Sequence, residues 1–162
     1  QYTDCPLYWI SVIYLNFAEA KAEMGSLTQD DLNNSINKLQ ARAGLPAMTT
    51  TPDADPANNM GVSNLIWEIR RCRRCELIMD NWYRYWDLIR WHQLDKLDST
   101  KCPNTMLGAN VSNVPDCEEA TKNGYIDASD AQIRTYEAKH YFYPIPTTQL
   151  TLNKNMKQNP GW

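Results

Sequence analysis

Twelve consecutive residues, Leu7 to Ala18, carry only two strongly polar side chains, Ser11 and Asn16, so a helix formed from them is apolar all the way round. Such a helix needs neighbours on more than one face. The run is also far short of the roughly 20 apolar residues that a membrane span requires. It therefore predicts a buried helix from Leu7 to Met24, with Gly25 taking the left-handed position past its end. Thr28 is placed to cap a second helix, Gln29 to Ala43, with Asp31 as the acid of a capping box and Gly44 beyond the C-terminus. Leu32, Ile36 and Leu39 recur at four and three residues and give this helix one buried stripe, with Asp30, Asn34 and Lys38 facing away. The two helices make an antiparallel hairpin.

A hairpin of this size is that of one tetratricopeptide-like repeat, and such repeats bury their faces only by stacking on further repeats. The sequence holds no second copy. The apolar first helix thus predicts a larger assembly, its open side covered by the rest of the chain or by polypeptide outside it. Gln1 to Pro6 lacks the basic region, apolar stretch and small-residue cleavage site of a signal peptide, an expectation that leaves the N-terminus processed, truncated or cytoplasmic.

Composition narrows the function classes. With 43% hydrophobic and 22% charged residues in 162, the chain is a globular sequence of ordinary domain length. Sixteen Lys and Arg against 19 Asp and Glu leave a net charge of −3, and no broad basic surface exists to hold a phosphate backbone. Nucleic acid is excluded as an expected partner. Only six glycines are present, none arranged as a dinucleotide fingerprint or phosphate loop.

Residues 45–62, with Pro46, Pro52, Pro56 and Gly61, predict a crossing loop. Ser63 then caps an Arg- and Trp-rich helical segment running to Leu97. Leu65, Ile69, Cys72, Glu76, Met79, Tyr83 and Trp86 follow steps of four and three and are expected on one face. Asp80 and Asn81 are poor helix-interior residues, so the segment is expected to break there and restart at Trp82. From Asp98 to Asp130 the chain lacks periodicity and reads as an embellishing loop. A short helix is expected from Ala131 to Ala138, capped by Asp127 or Asp130 in preference to a calcium loop, for which the remaining ligands are missing. Pro144 and Pro146 then hold Tyr141 to Pro146 extended.

No catalytic constellation stands out. Six of the eight arginines lie at 70, 71, 73, 74, 84 and 90, interleaved with Trp67, Trp82, Trp86 and Trp91. Glu68, Glu76, Asp80 and Asp87 stand three or four residues from them, so the arrangement favours guanidinium groups stacked and bridged in a partly buried seam over an anion-binding surface. Cys72 and Cys75 form a C-x-x-C inside a helical pattern with no second pair to complete four metal ligands, and they read as buried or half-buried thiols. The five cysteines, Cys5, Cys72, Cys75, Cys102 and Cys117, are an odd number, and Cys102 with Cys117 can bridge only in an oxidising compartment. His92 and His140 are isolated from any nucleophile, so neither a metal nor a cofactor is called for. Six Trp, nine Tyr and two Phe offer platforms for sugar rings, although most are explained as core.

Three stretches in order carry a resemblance. Ile69-Arg70-Arg71-Cys72-Arg73-Arg74-Cys75-Glu76-Leu77 with Trp82-Tyr83-Arg84-Tyr85-Trp86-Asp87-Leu88-Ile89-Arg90-Trp91 resembles the signature helix of the SusD/RagB family. Tyr143-Pro144-Ile145-Pro146, Leu152-Asn153 and Gln158-Asn159-Pro160-Gly161-Trp162 resemble its C-terminal ending, and Tyr14-Leu15-Asn16-Phe17-Ala18-Glu19-Ala20 resembles its last tetratricopeptide-like repeat. Two positions depart from the pattern. Cys72 stands where the family usually has an acid, and Asp80-Asn81 replaces a usual Glu-Gly.

The resemblance implies a mainly α fold: a repeat hairpin over residues 1–44, a loop over 45–62, the signature helix over 63–97 and a loop-rich region over 98–162. It implies the C-terminal portion of a longer protein, held at the extracellular face of a bacterial outer membrane through a lipidated N-terminal Cys upstream of this sequence. It further implies a non-catalytic lipoprotein for nutrient uptake that holds glycans, or peptides in the RagB branch, above a TonB-dependent transporter of the SusC type. The matching residues Arg70, Arg73, Glu76, Arg84, Asp87 and Arg90 are expected to brace the repeats and not to touch ligand. The loop around Asp98 to Tyr125, with the ring of Tyr125, is the place left for ligand contact. A helical-repeat module that docks a partner polypeptide is the other reading of the same features.

Overall fold

The computed structural model describes residues 8–80, 82–115, 121–127 and 132–162. It divides into two compact units, residues 1–84 and 85–162.

In the first unit, α1 (Ile10–Glu23) buries Ser11, Leu15, Ala18 and Glu19 along one face. That face packs on α3 (Ile36–Arg42) and α4 (Asn64–Glu76). The opposite side is open, with Tyr8, Ile10, Ile13 and Phe17 between 43% and 84% exposed. The all-round apolar character read from the sequence is thus half used inside this unit. Gly25 takes φ +66 behind α1 and accepts the left-handed turn where a side chain would be strained.

The second helix forms in two pieces, α2 (Gln29–Asn33) and α3, where the sequence predicted one. The capping box forms as expected: the Asp31 amide donates to Thr28 Oγ1 at 3.1 Å and the Thr28 amide donates to Asp31 Oδ2 at 2.9 Å. The Thr28 hydroxyl, which donates to Asp31 Oδ2 at 2.7 Å, and then the Thr28 amide hold the Asp31 carboxyl below its usual range. The break follows from Asn34 and Ser35. The Asn34 side chain donates to the Asp30 carbonyl at 3.0 Å and Ser35 Oγ to the Asp31 carbonyl at 2.6 Å, which competes with the helical ladder. Leu32, Ile36 and Leu39 remain buried together across the break, with Leu15, Met48 and Ile69. The loop after α3 is tied down by Asn37, whose amide accepts from Met48 N at 2.7 Å and donates to Met48 O at 3.1 Å.

Ser63 caps α4, accepting from Ile66 N at 3.3 Å. The helix ends at Glu76, a few residues before the expected break, and Met79 and Trp82 both take positive φ in the turn that follows. This corrects the seven-residue face: Ile69 and Cys72 are buried, but Met79 is fully exposed and Trp86 54% exposed, because the turn interrupts the helical phase. Helix α5 (Tyr83–Arg90) resumes the segment.

In the second unit, Leu88, Trp91 and Leu94 are buried along with Asp87 and Asp98. The stretch read as a structureless loop holds a three-stranded antiparallel sheet of order β1-β3-β2, made of Leu107–Asn110, Thr121–Lys122 and Tyr125–Asp127. Asn123 and Gly124, both at positive φ, turn β2 into β3. That is the favoured Asn-Gly hairpin signal, short enough to be lost among polar neighbours. The helix expected from Ala131 to Ala138 does not form over residues 132–137, and a 3-10 turn at Ala138–Tyr141 takes its place. Asp130 and Ala131, like Cys5 and Cys117, lie outside the described residues. The chain closes with α6 (Thr147–Leu152) and an irregular tail.

Candidate functional site

The arginine-rich segment forms ion pairs and ring contacts. Arg70 Nε donates to Glu19 Oε1 at 3.2 Å and its NH2 to Glu23 Oε1 at 3.1 Å, joining α4 to α1. Arg73, itself buried, donates to Asn16 Oδ1 at 2.8 Å and lies 5.9 Å from the centre of the Tyr83 ring. Glu76 accepts both of its bonds from Arg42 at 2.6 Å. Arg71 pairs with Glu68 three residues earlier, with Nε donating at 2.7 Å. In the second unit Arg90 Nε donates to Asp87 Oδ1 at 2.9 Å and its guanidinium covers the Trp91 ring at 4.7 Å. Arg84 lies in the first turn of α5 and also has an interaction partner.

Helix spacing identified the Glu68–Arg71 and Asp87–Arg90 pairs. It did not reveal Glu19, Glu23 or Arg42, which come from helices distant in sequence. Of the four interleaved tryptophans, Trp91 receives a guanidinium group as expected and Tyr83 receives another, while Trp82 is 81% exposed and Trp67 donates its indole N–H to Asp55 at 2.9 Å.

Cys72 is buried, and burial first, then the nearby Glu76 and Glu68 carboxylates, push its thiol up to about 11. It is an inert core thiol at neutral pH. Cys75 is exposed, against the expectation that both thiols are sheltered, because the buried face of α4 runs through Ile69, Cys72 and Arg73 and Cys75 lies beyond its edge, on the side of Cys72 away from the other two. Cys102 is a free, half-buried thiol. Among the described residues no group of three or more His, Cys, Asp or Glu is placed to hold a metal ion.

The tail shows why its two distant motifs occur together. Pro144 and Pro146 have no backbone N–H, so Ile145 carries the only amide donor of that triplet. The Gln158 side chain takes it at 2.8 Å and returns a bond to the Ile145 carbonyl at 2.9 Å, acting as one residue of an adjacent strand. Asn159 donates to the Tyr143 carbonyl at 2.6 Å. Gly161 has φ +88, and a Cβ there would stand 2.8 Å from Lys139 Cβ, so only glycine fits. Trp162 Nε1 then donates to the carbonyls of Phe142 and Lys139 at 2.9 and 3.2 Å. Gln158→Ala orphans both Ile145 groups and is expected to cost about 1–2 kcal/mol. Faster hydrogen exchange at the Ile145 amide, with Gln158→Glu intermediate, is the check.

These contacts shape an open cleft in the second unit, with a volume of about 400 Å³, bounded by Tyr85, Arg134, Tyr136, His140, Tyr143 and Trp162 among others. Its rings form a chain. His140 lies 5.9 Å from Trp162 and 6.2 Å from Tyr136, and Tyr136 lies 5.5 Å from Tyr141, edge to face. Burial, with the Tyr141 hydrogen bond second, pushes the Tyr136 hydroxyl up to about 12, so it stays protonated. One wall is held by Asp98, buried beneath it. Its carboxylate accepts from the Thr100 amide at 2.8 Å and from the Tyr136 amide at 3.0 Å, and Ser99 and Arg134 exchange backbone and hydroxyl bonds alongside.

The Thr100 hydroxyl first, and then these amides, hold the Asp98 carboxyl down at about 2. An unfolded Asp titrates near 3.9. The folded state therefore binds fewer protons than the unfolded state between those values. The stabilisation is complete above about pH 4 and is lost as pH falls toward 2. Thermal melts from pH 6 to pH 2 should show a smaller acid-induced drop for Asp98→Asn than for the native chain.

Tyr125, the ring singled out from the sequence, lies half-buried in β3, where it is paired with Asn110 and Lys122. It does not line the cleft. The residues that do were passed over as core, yet the density of rings from Tyr136 to Tyr143 was visible in the sequence.

The described residues form a mainly helical scaffold with a ring-lined cleft in its second unit. The model of the SusD family matches residues 2–162, so the chain belongs to that family. A crystal structure of a SusD-like protein from Bacteroides fragilis NCTC 9343 is similar, with a TM-score of 0.62 and 26% identity over 94% of this chain. The match spans only 25% of that protein's length. No curated protein matches the chain.

Proposed function

We propose that this chain belongs to a nutrient-binding protein of the bacterial outer-membrane surface, which holds glycans without turning them over and delivers them to a TonB-dependent transporter of the SusC type. Membership of the SusD family is the observation that carries this reading. The net charge of −3 and the ring-lined cleft agree with recognition by stacking and hydrogen bonds in place of phosphate attraction. The lipid anchor and the additional repeats belong to sequence upstream. The open apolar side of α1 supports such repeats as its cover, since the related crystal structure is about four times as long. Arg70, Arg73, Glu76, Arg84, Asp87 and Arg90 act in this reading as braces.

A glycan array probed with the complete protein, followed by isothermal titration over a salt series, tests the proposal. Saturable binding with a shallow salt slope is the expected result. Retention of peptides with no glycan bound would assign the RagB-type function instead.

A further inference from the structure

We propose that the aromatic cleft of the second unit is a subsite for a carboxylate-bearing sugar ring, a uronate, with Arg134 as the residue that selects the acid. This deepens the glycan-binding reading and rests on it. Three rings at the cleft, Phe142, Tyr143 and Trp162, are 55%, 64% and 47% exposed. Rings so open to water contribute little to a core, while their flat faces match the C–H faces of a pyranose. The cavity volume of about 400 Å³ lies within the usual ~300–1,000 Å³ range of small-molecule sites.

The polar groups around those faces suit a sugar acid. The Tyr143 and Tyr85 hydroxyls meet at 3.4 Å, a long contact that leaves both able to bond a ligand hydroxyl. His140 Nδ1 accepts from the Glu137 amide at 3.0 Å, so the neutral ring carries its proton on Nε2 as a donor. Arg134 supplies the selectivity. Its backbone is clamped to Ser99, which fixes where the side chain starts. No carboxylate among the described residues pairs with its guanidinium. Of the acids near the cleft, Asp98 is engaged with Thr100 and Tyr136 and Glu137 with Lys139, while the charge of Asp95 bears on Tyr136. Arg134 lines the cleft together with those rings, and a guanidinium is the planar forked donor that a carboxylate accepts in bidentate fashion.

The test titrates the complete protein with trigalacturonate and with its methyl ester, which keeps the rings and removes the charge. The acid is expected to bind at least tenfold more tightly than the ester. Arg134→Gln should abolish that preference, and Arg134→Lys should restore part of it. Arg134 is exposed, so neither variant disturbs the fold, and a matching circular-dichroism melt verifies this. Equal binding of acid and ester, or an acid preference that survives in Arg134→Gln, overturns the assignment. If other glycans bind while these two do not differ, only the subsite fails. If no glycan binds at all, the glycan-uptake reading fails with it.

Discussion

Arg70→Met should lower stability by about 3–5 kcal/mol, the range for removing one partner of a buried ion pair. The Arg70 and Glu19 side chains are only 10% and 3% exposed, so the carboxylate left behind on α1 has little access to water. The second contact, to Glu23, is half in solvent and contributes less. In the double variant Arg70→Met with Glu19→Leu, the desolvation penalty disappears with the charge. Most of the loss should return. Urea denaturation of the four members of that cycle measures the coupling. A loss below 1 kcal/mol for the single variant would place Arg70 among ordinary surface pairs.

Ile69→Ala should cost about 3–4 kcal/mol. Ile69 is completely buried in the core where α4 meets Leu15, Leu32 and Ile36, and neighbours from separate helices cannot all close in on a void. Ile69→Val removes one methylene and should cost about 1 kcal/mol. Equal effects of the two substitutions would mean that the site collapses around the smaller side chain.

The legible parts of the fold were those set by contacts a few residues apart. Thr28 with Asp31, Ser63 with Ile66, and Gly25 at φ +66 are local signals, and each forms as read. The stripe of Leu32, Ile36 and Leu39 survived even though the helix carrying it is broken. The break itself was written in Asn34 and Ser35, but their competing bonds to the backbone weigh against a strong apolar period and are easily discounted. The seam failed beyond Glu76 because periodicity assumes a continuous helix, and Met79 and Trp82 at positive φ change its phase.

The candidate site was less legible for a related reason. The partners of Arg70 and Arg73 are 51 and 57 residues away, and those of Gln158 are 13 away through the side chain of an amide that has no periodicity. The pairing of Pro-Ile-Pro with Gln-Asn-Pro-Gly-Trp follows from one unsatisfied amide, which becomes apparent only when the two segments are adjacent. The cleft arises from the same closure. Its rings are ordinary in sequence and become a site because Gly161 lets Trp162 turn back onto the 3-10 turn.

The proposed function is recognition without chemistry. Incubating the complete protein with the oligosaccharide that it retains most strongly, then measuring both bound ligand and newly formed reducing ends, tests it most directly. The account predicts saturable binding and an unchanged ligand after many hours. Accumulating reducing ends, abolished by a single carboxylate substitution, would contradict it.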